Sequence, residues 1–420
     1  MTDTQSRFRR IDIVLLTIIF VVGIFLRITP HAFSPDATLH FLAPLHPQPA
    51  WNKIGFDEGL YRQYVNALSK DGLTAYPDIV EGYIDVQKKL PGSILPPLRF
   101  LYIFTAYLWH SIFGSEALES LYSVAAFFSM LTLALATFFA WRMRGPTWAT
   151  AIAALMAVAP TQLHISQHAL VDGFFTFWAT LALWLFWENL QAPRNWRWLV
   201  AYIVALALLI TTKENSFFVW VALVALLIAN RWLQFGTVTR ELAIATFLGP
   251  LLGVVVLIFL AGGIDMFIQS YQLSVGKNFQ LQYAILTGDG PWYRYLVDLM
   301  LVSPIVLILA IGTIFRLNRA IKPELFFGIF IAASYLVMCN VKYGMNLRYA
   351  NMWDLPLRFL AFSEIAWLAS LVKRFQTQIV AAAVVLLSAI EFHQYIALAV
   401  RYPLYELITH DLLQALSILK

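Results

Sequence analysis

Residues 11–28 read IDIVLLTIIFVVGIFLRI, an apolar run interrupted by only two charged side chains. A helix of this length spans about 27 Å, close to the ~30 Å hydrocarbon thickness of a bilayer. The basic residues Arg7, Arg9 and Arg10 precede the run, and no small-residue cleavage motif follows it. We therefore interpret the run as an uncleaved first membrane span with a cytoplasmic N-terminus and not as a removable signal peptide.

The composition of the whole chain agrees with a membrane protein. Hydrophobic residues make up 60% and charged residues 13% of the 420 positions, whereas soluble domains carry about 25% charged residues. The net charge of +5 comes from Lys and Arg residues dispersed in short connections, so we expect no nucleic-acid partner. The only cysteine, Cys339, excludes an intramolecular disulfide and a cysteine-based zinc site.

Eleven apolar segments have the length of membrane spans: 11–28, 117–141, 147–163, 171–190, 198–212, 215–233, 241–261, 296–315, 325–340, 352–371 and 377–398. A further segment, 98–113, is short and rich in aromatic residues, which is typical of a helix in the membrane interface. If it does not span, every basic cluster between the other segments falls on the cytoplasmic side. The sequence thus predicts an all-α polytopic membrane protein of about 11 transmembrane helices.

This topology predicts three regions. The first, 1–261, is a transmembrane module that includes a large extracytoplasmic loop, 29–116, with short interfacial helices. The second, 262–295, is another extracytoplasmic loop, and the third, 296–420, contains the C-terminal transmembrane helices and a short tail. Both loops lie on the same side as the start of span 171–190, so polar residues in these three places are expected to meet.

The first loop contains FDEGLY at 56–61, whose two acids begin a predicted amphipathic helix. Asp57 could be a general base that deprotonates a hydroxyl, or it could be the N-cap of this helix. Glu58 could assist it, or it could favour the positive helix end and pair with Arg62 four residues on. The two interpretations are compatible, because a capped carboxylate stays ionised and fixed in place.

A third acid, Asp172, lies at the start of a span, and ionisable residues at membrane depth often mark functional sites. His168 precedes it by four residues, so on a helix the two would share a face and could bind a divalent metal ion. The alternative is a histidine at the interface beside an aspartate that caps a helix.

Two basic sites are predicted on the same side of the membrane. Lys213 lies in a polar break between two spans, and Arg348 and Tyr349 precede the tenth span. A lysine on the extracytoplasmic side runs against the positive-inside rule. Either cation could bind an anionic headgroup, and Arg348 could do so through a forked contact with phosphate. The alternatives are ion pairs of Lys213 with Glu214 and of Arg348 with Asp354, or snorkelling to the interface.

In their order and placement these residues resemble the GT-C membrane glycosyltransferases. The similar branch contains the protein O-mannosyltransferases, the aminoarabinose transferases and the RgtA-type enzymes, which use polyprenyl-phosphate sugars. The segments that carry the resemblance are FDEGLY at 56–61, LPPL at 95–98, FGSE at 113–116, Pro160, VDG at 171–173, TKEN at 212–215 and LRY at 347–349.

The resemblance implies a GT-C-like fold and a mannosyltransferase-like enzyme that transfers a hexosyl or pentosyl group. The donor would be a polyprenyl-phosphate sugar, and the acceptor a hydroxyl of a lipid, glycan or protein on the extracytoplasmic face of the plasma membrane. Asp57 would be the base with Glu58 beside it, and Asp172 would orient the base or bind a metal. Lys213 and Arg348 would lie near the donor phosphate.

This chemistry needs few groups. A phosphate leaving group is a weak base, so it needs charge stabilisation more than protonation. One general base then suffices for a displacement that inverts the sugar carbon, as in inverting glycosidases.

Two positions depart from the family pattern. Leu95 stands where the family often has Lys or His before Pro-Pro-Leu, and Gln167 stands where it often has Arg after a serine. Both departures remove positive charge near the expected phosphate site.

A transporter or flippase of a lipid-linked sugar is an alternative that predicts inverted repeats and charges at the midplane. A non-catalytic membrane assembly subunit is another. The sequence shows no repeat, and its polar groups cluster at one surface, which favours the transferase.

Overall fold

The protein is described by a computed structural model that covers residues 8, 10–48, 55–402 and 408–418. Arg7 and Arg9, two of the three basic residues before the first predicted span, lie outside this part. Within it the chain forms helices and no β-strand, which confirms the all-α prediction.

The described residues as far as 233 form ten α-helices, and short 3-10 turns at Pro30–Phe33, His40–Leu45 and Leu73–Ala75 join the earliest of them. In chain order the helices are α1 Arg10–Arg27, α2 Phe56–Asp71, α3 Tyr76–Lys89, α4 Phe100–Phe113, α5 Ala117–Arg144, α6 Pro146–Ala157, α7 Pro160–Ser166, α8 Val171–Gln191, α9 Trp196–Ile210 and α10 Ser216–Leu233.

The second half contains nine more α-helices in its described residues. They are α11 Arg240–Leu260, α12 Ile264–Asn278, α13 Gln282–Gly288, α14 Arg294–Val302, α15 Pro304–Phe315, α16 Lys322–Met338, α17 Asp354–Ser370, α18 Gln376–Tyr395 and α19 Ile408–Ala415. A 3-10 segment, Leu347–Trp353, leads directly into α17. Another, Lys373–Phe375, precedes α18, and a π-helical turn, Ile396–Arg401, follows it.

Two of the predicted spans are interrupted at prolines. Span 147–163 consists of α6 and α7, which are bent by 57° at a short break. Span 296–315 consists of α14 and α15, which meet at Ser303. A proline has no backbone N–H and removes a hydrogen bond from a helix interior. Here Pro160 and Pro304 each begin the second piece, whereas Pro250 lies inside the continuous helix at Arg240–Leu260.

The carbonyl groups at the first break are bonded by an arginine from another helix. Arg27, at the end of α1, donates hydrogen bonds of 2.8 Å to the backbone oxygens of Met156 and Ala157. It also donates to Ser129 on α5. The break is therefore stabilised by a side chain that lies far away in the sequence.

Four described helices are long and apolar enough to cross a membrane, namely Ala117–Arg144, Ser216–Leu233, Arg240–Leu260 and the continuous segment Lys373–Arg401. The bent pair of α6 and α7 would be a fifth. Each of the other predicted spans is helical but shorter or less apolar, so the count of eleven stays a prediction. One apolar core joins helices from α5 to α18 and crosses the predicted boundary between 1–261 and 296–420.

The basic clusters that were predicted to share one side lie together at one end of the helix bundle. Arg142 and Arg144 at the end of α5 form ion pairs of 2.7 Å with Glu188 and 2.6 Å with Glu324, which lie at the end of α8 and the start of α16. The grouping of these residues therefore agrees with the topology. Which end faces the cytoplasm stays a prediction.

Candidate active site

The predicted site residues lie on four chain segments that meet at the opposite end of the bundle. These segments are the start of α2, the turn before α8, the connection between α9 and α10, and the 3-10 segment before α17. Packing of α8 against this 3-10 segment and of α2 against α4 and α5 brings them together. The contacts join all seven predicted residues: Asp57, Glu58, His168, Asp172, Lys213, Arg348 and Tyr349.

Asp57 is the most accessible acid of the site. Its side chain is 30% exposed, and its Oδ2 lies 3.6 Å from Nη1 of Arg348. The N-cap of α2 is Gly55, so the interpretation of Asp57 as the helix cap is wrong. A partly exposed carboxylate can accept a proton from a neighbouring hydroxyl.

Glu58, and not Asp57, accepts hydrogen bonds from backbone amides. Its Oε2 accepts a hydrogen bond of 2.8 Å from the amide of Gly55, and its Oε1 accepts one of 2.9 Å from the amide of Ala169. Burial alone would raise the pKa of Glu58, but hydrogen bonds from His168 and these two amides lower it below the usual glutamate range. Glu58 therefore ties the start of α2 to the turn before α8.

The predicted local pair of Glu58 with Arg62 does not form. Arg62 instead lies 2.7 Å from Glu116, the N-cap residue of α5. Both side chains of this pair are 44% exposed. Arg62 and Glu116 therefore form an ordinary surface ion pair, because the buried Glu58 points in another direction.

His168 and Asp172 do not share a helix face, so this expectation is wrong. The helix α8 begins only at Val171, and His168 lies in the turn before it, 3.4 Å from Glu58 through Nδ1. The Asp172 carboxylate is instead paired with a lysine. Among the residues that the structure describes, no group of three or more His, Cys, Asp and Glu side chains could hold a metal ion.

Lys213 is the buried cation beside Asp172. Its Nζ lies 2.5 Å from Oδ1 of Asp172 and 4.1 Å from the centre of the Tyr349 ring. Burial lowers the pKa of Lys213 to about 8, although the contact with Asp172 raises it. The considered pair of Lys213 with Glu214 does not form, since each residue has a different partner.

Arg348 directly precedes Tyr349 in the sequence, and its side chain faces Asp57. Its Nη2 is 3.4 Å from the Tyr283 hydroxyl on α13, and the Asn346 side chain accepts a hydrogen bond from its backbone amide. The considered pair with Asp354 does not form. Asp354 instead contacts Arg358, one turn along α17, at 2.9 Å.

Arg99 is a cation that the sequence interpretation missed. Its Nη2 lies 3.0 Å from Glu214, and its Nη1 donates a hydrogen bond of 2.8 Å to the Tyr61 hydroxyl. It follows Leu-Pro-Pro-Leu directly, so it supplies positive charge four residues after the position where Leu95 departs from the family pattern. That proximity is the sequence signal that could have identified it.

A buried hydrogen-bond network connects the segment that contacts Glu58 with the segment that carries Arg348. Gln162 on α7 donates a hydrogen bond of 2.6 Å to Oδ2 of Asp354. Helix α7 leads to the turn that holds Glu58, and Asp354 begins α17 directly after the segment that holds Arg348. Arg358 continues the network from Asp354 to Glu391 on α18. This network therefore links α7 and α18 to the start of α17, directly after the segment that carries Arg348.

The arrangement combines an accessible carboxylate with three closely placed cations, Arg99, Lys213 and Arg348. Each cation contacts a carboxylate, so an anion that binds here would compete with these carboxylates for the cations. The guanidinium groups offer forked contacts and the ammonium group a point charge, which together suit the oxygens of a phosphate.

Comparison with known proteins supports the predicted family resemblance. The model of the dolichyl-phosphate-mannose-protein mannosyltransferase family matches residues 103–275, which is less than half of the chain. No curated protein matches the sequence. Several solved structures match the fold.

The chain is similar to ArnT from Cupriavidus metallidurans in the apo state, with 15% identity and a TM-score of 0.51 over 97% of this chain and 77% of that one. It is similar to the archaeal oligosaccharyltransferase AglB from Archaeoglobus fulgidus in complex with an inhibitory peptide and a dolichol-phosphate, with 14% identity and a TM-score of 0.57 over 96% and 56%. A complex of that oligosaccharyltransferase with zinc and sulfate matches with 16% identity and a TM-score of 0.54 over 90% and 53%.

These similarities confirm the GT-C-like fold that the resemblance implied. At this level of identity they concern the fold and not the activity. The chain spans about three quarters of the length of ArnT and just over half of the oligosaccharyltransferase.

Proposed function

We propose that this protein is a membrane glycosyltransferase that takes a monosaccharide from a polyprenyl-phosphate carrier and transfers it to an acceptor hydroxyl. The observation that carries the proposal is the placement of the accessible Asp57 carboxylate against Arg348, beside the buried cation Lys213. The site then lies on the extracytoplasmic face of the plasma membrane, as the distribution of basic residues predicts.

In the proposed reaction Asp57 is the general base. It accepts the proton of the acceptor hydroxyl while the hydroxyl oxygen forms a bond to the anomeric carbon of the sugar. The bond between that carbon and the phosphate oxygen breaks, and its electron pair leaves with the phosphate. Because the nucleophile attacks opposite the leaving group, the configuration at the carbon is inverted.

The phosphate gains negative charge as it leaves, and Lys213 and Arg348 stabilise that charge. Binding of the phosphate to Arg348 would also draw this cation away from Asp57 and leave the carboxylate open to the acceptor. Arg99 adds positive charge behind Lys213, and Tyr349 holds the Lys213 ammonium group against its ring.

Glu58 and Asp172 act in this proposal as positioning residues. Glu58 holds the start of α2, and with it Asp57, through two backbone amides. Asp172 holds Lys213. The carboxylate of Asp172 and the ring of His168 contact different partners and do not form one set of metal ligands, so no step is assigned to a metal ion.

The decisive experiment measures transfer from a radiolabelled polyprenyl-phosphate sugar by purified protein, with Asp57→Asn as the test variant. We expect the rate of the variant to fall by about 10²- to 10⁴-fold. Asp78→Asn, an exposed acid in the first turn of α3, is the matched control and should keep the wild-type rate. Equal transfer by wild type and Asp57→Asn would remove Asp57 as the base.

Screening identifies the carrier-linked sugar and the acceptor. Mass spectrometry of lipids that co-purify with the protein identifies the carrier, and a panel of lipid, glycan and peptide hydroxyls tests the acceptor. Movement of an intact lipid-linked sugar across a bilayer, without transfer, would instead favour the transporter. A reporter fused after Gly114 should be external, and a cytoplasmic signal would overturn the assignment of the outer face.

A further inference from the structure

The helix α12 begins immediately after the membrane span α11. Only three residues separate them, and two of these, Gly262 and Gly263, have positive φ angles of 85° and 138°. Side chains with a Cβ rarely adopt such angles, so the glycines let the chain leave the direction of α11. A helix that starts within one turn of the end of a span starts at the level of the membrane interface.

The residues of α12 fall into three stripes along the helix. One apolar stripe is 43–57% exposed and is continued by the residue after the helix: Ile264, Ile268, Tyr271, Val275 and Phe279. Successive residues are rotated by about 100°, so the spacing of four, three, four and four places this stripe on one side of the helix. A second exposed stripe lies about 100° around the helix from the first. Its residues are polar or small: Asp265, Gln269, Gln272, Gly276 and Gln280.

The third side of α12 packs against α3. Nζ of Lys277 donates hydrogen bonds to the backbone oxygens of Gln87, Lys88 and Leu90 at the end of that helix. The Ser93 hydroxyl donates a bond of 2.9 Å to the backbone oxygen of Ser274. Hydrogen bonds from a lysine to the last carbonyl groups of a helix stabilise the helix C-terminus. Helix α12 therefore has a fixed orientation, and its apolar stripe points away from the protein.

We propose that α12 lies on the membrane surface and inserts its apolar stripe among the lipid acyl chains, with the polar stripe in water. The span that immediately precedes α12 also exposes apolar side chains, since Phe259 near the end of α11 is 82% exposed and Val255 is 53% exposed. Segregated apolar and polar sides are the pattern of an interfacial helix. The exposed polar stripe has one acid and no basic residue, so acyl chains and not anionic headgroups are the partner.

This docking places the membrane surface next to the candidate site. Helix α13 follows α12 after three residues, and its Tyr283 hydroxyl lies 3.4 Å from Nη2 of Arg348. If the proposed function holds, α12 sets the height of Arg348 relative to the headgroup layer in which a lipid-borne phosphate lies. The docking itself does not depend on that function, and its test needs no substrate.

The test uses single cysteines labelled with an environment-sensitive fluorophore in the full chain, in a Cys339→Ser background. Two matched pairs sample the two exposed stripes: Val275→Cys with Gln272→Cys, and Ile268→Cys with Gln269→Cys. Val255→Cys, on an exposed position of α11, reports a lipid-facing site, and Glu81→Cys, on α3, reports water. The labelled proteins are placed in nanodiscs of phosphatidylcholine, either with brominated acyl chains or with iodide in the buffer.

We expect brominated chains to quench most of the fluorescence at positions 268 and 275, as at 255, and little of it at 269 and 272. Iodide should show the reverse order, with 269 and 272 resembling 81. The result should be the same after part of the phosphatidylcholine is replaced by an anionic lipid. Two pairs keep the test valid if one variant fails to fold.

Three outcomes would overturn the proposal. Strong iodide quenching at 268 and 275 would show that the apolar stripe faces water. Protection of these positions from both quenchers would show that another protein surface, such as a second copy or a polypeptide acceptor, covers the stripe. Insertion that appears only with anionic lipid would show that headgroup charge, and not apolar contact, drives the docking.

Discussion

Arg348 lies with its Nη1 3.6 Å from Oδ2 of Asp57, so the proposed phosphate-binding cation and the proposed base contact each other. In the proposed mechanism this relationship couples two steps. A phosphate that binds Arg348 weakens the hold of this cation on the carboxylate, and the acceptor hydroxyl can then take its place. An enzyme built in this way activates its base when the donor is present.

Arg348→Ala should weaken donor binding and also lower the maximal rate, because Arg348 is proposed to hold the phosphate before and during its departure. Loss of hydrogen bonds to a charged group costs about 1.5–3 kcal/mol, so we expect the donor KM to rise by about 10- to 100-fold. Arg348→Lys should restore only part of this, because lysine provides a point charge without the fork. Arg62→Ala is the control, since its exposed ion pair contributes little. A donor KM that is unchanged in Arg348→Ala would refute phosphate binding by this residue.

The pH dependence of donor binding should report Lys213. Its pKa is lowered to about 8, so the ammonium form that binds phosphate is present below pH 8 and is lost as the pH rises above that value. We expect the donor KM to increase by about tenfold between pH 7 and pH 9. Lys213→Arg should flatten this profile, because a guanidinium group stays charged throughout. A profile that is equally steep in wild type and Lys213→Arg would assign the titration to another group.

Glu58→Gln should separate a positioning role from catalysis. A glutamine has one acceptor oxygen where Glu58 uses two, so one buried amide loses its partner at a cost of about 1–3 kcal/mol. We expect a lower Tm and a partial loss of kcat, whereas Asp57→Asn should keep its Tm and lose nearly all activity. If Glu58→Gln keeps the wild-type Tm and is as inactive as Asp57→Asn, Glu58 is the base.

The same residue predicts a loss of stability in acid. The pKa of Glu58 is lower in the folded protein than in the unfolded chain, so its ionised form stabilises the fold above the unfolded pKa. This contribution is lost as the pH falls through the folded pKa. The Tm of wild type should therefore fall more steeply with acid than that of Glu58→Gln, as measured by thermal unfolding in detergent.

Gln162→Leu should lower the rate through Arg348 and not through general destabilisation. It removes the hydrogen bond to Asp354 that links α7 to the Arg348 segment, and misplacement of reacting groups should cost about tenfold or more in kcat/KM. In an Arg348→Ala background the same change should have almost no further effect.

The matched control for this cycle is Thr313→Val on α15, which removes a buried hydroxyl that donates to the backbone oxygen of Leu360 on α17. It should have the same small effect in both backgrounds. Multiplicative losses from Gln162→Leu in the wild-type and Arg348→Ala backgrounds would mean that Gln162 supports the fold and does not position Arg348.

The sequence predicted the helical segments and the common side of the site residues well, because both follow from patterns that are local. Apolar length predicts a helix in the membrane, and the distribution of Lys and Arg predicts a side. The four segments that carry Asp57, Asp172, Lys213 and Arg348 do meet. The breaks at Pro160 and Pro304 were readable in principle, since a proline inside an apolar run interrupts the helix or begins a new one.

The partners of the charged residues could not be predicted from neighbours in the sequence. None of the considered local pairs, Glu58 with Arg62, Lys213 with Glu214 and Arg348 with Asp354, forms. Glu58, Lys213 and Arg348 contact residues that the fold brings close, whereas Asp354 pairs with Arg358 one turn along its own helix. Spacing rules describe exposed helix faces, where both side chains are free to approach. A buried charge needs the partner that tertiary packing supplies, and Arg99 was overlooked for the same reason.

The contact of Arg27 with Met156 and Ala157 has a consequence for biosynthesis. Arg27 enters the bilayer early, yet the carbonyl groups that satisfy it belong to a helix made more than a hundred residues later. Until α6 arrives, the guanidinium group must stay hydrated at the membrane surface or be shielded by the insertion machinery. The first helix therefore gains its full set of buried contacts only after α6 has been made.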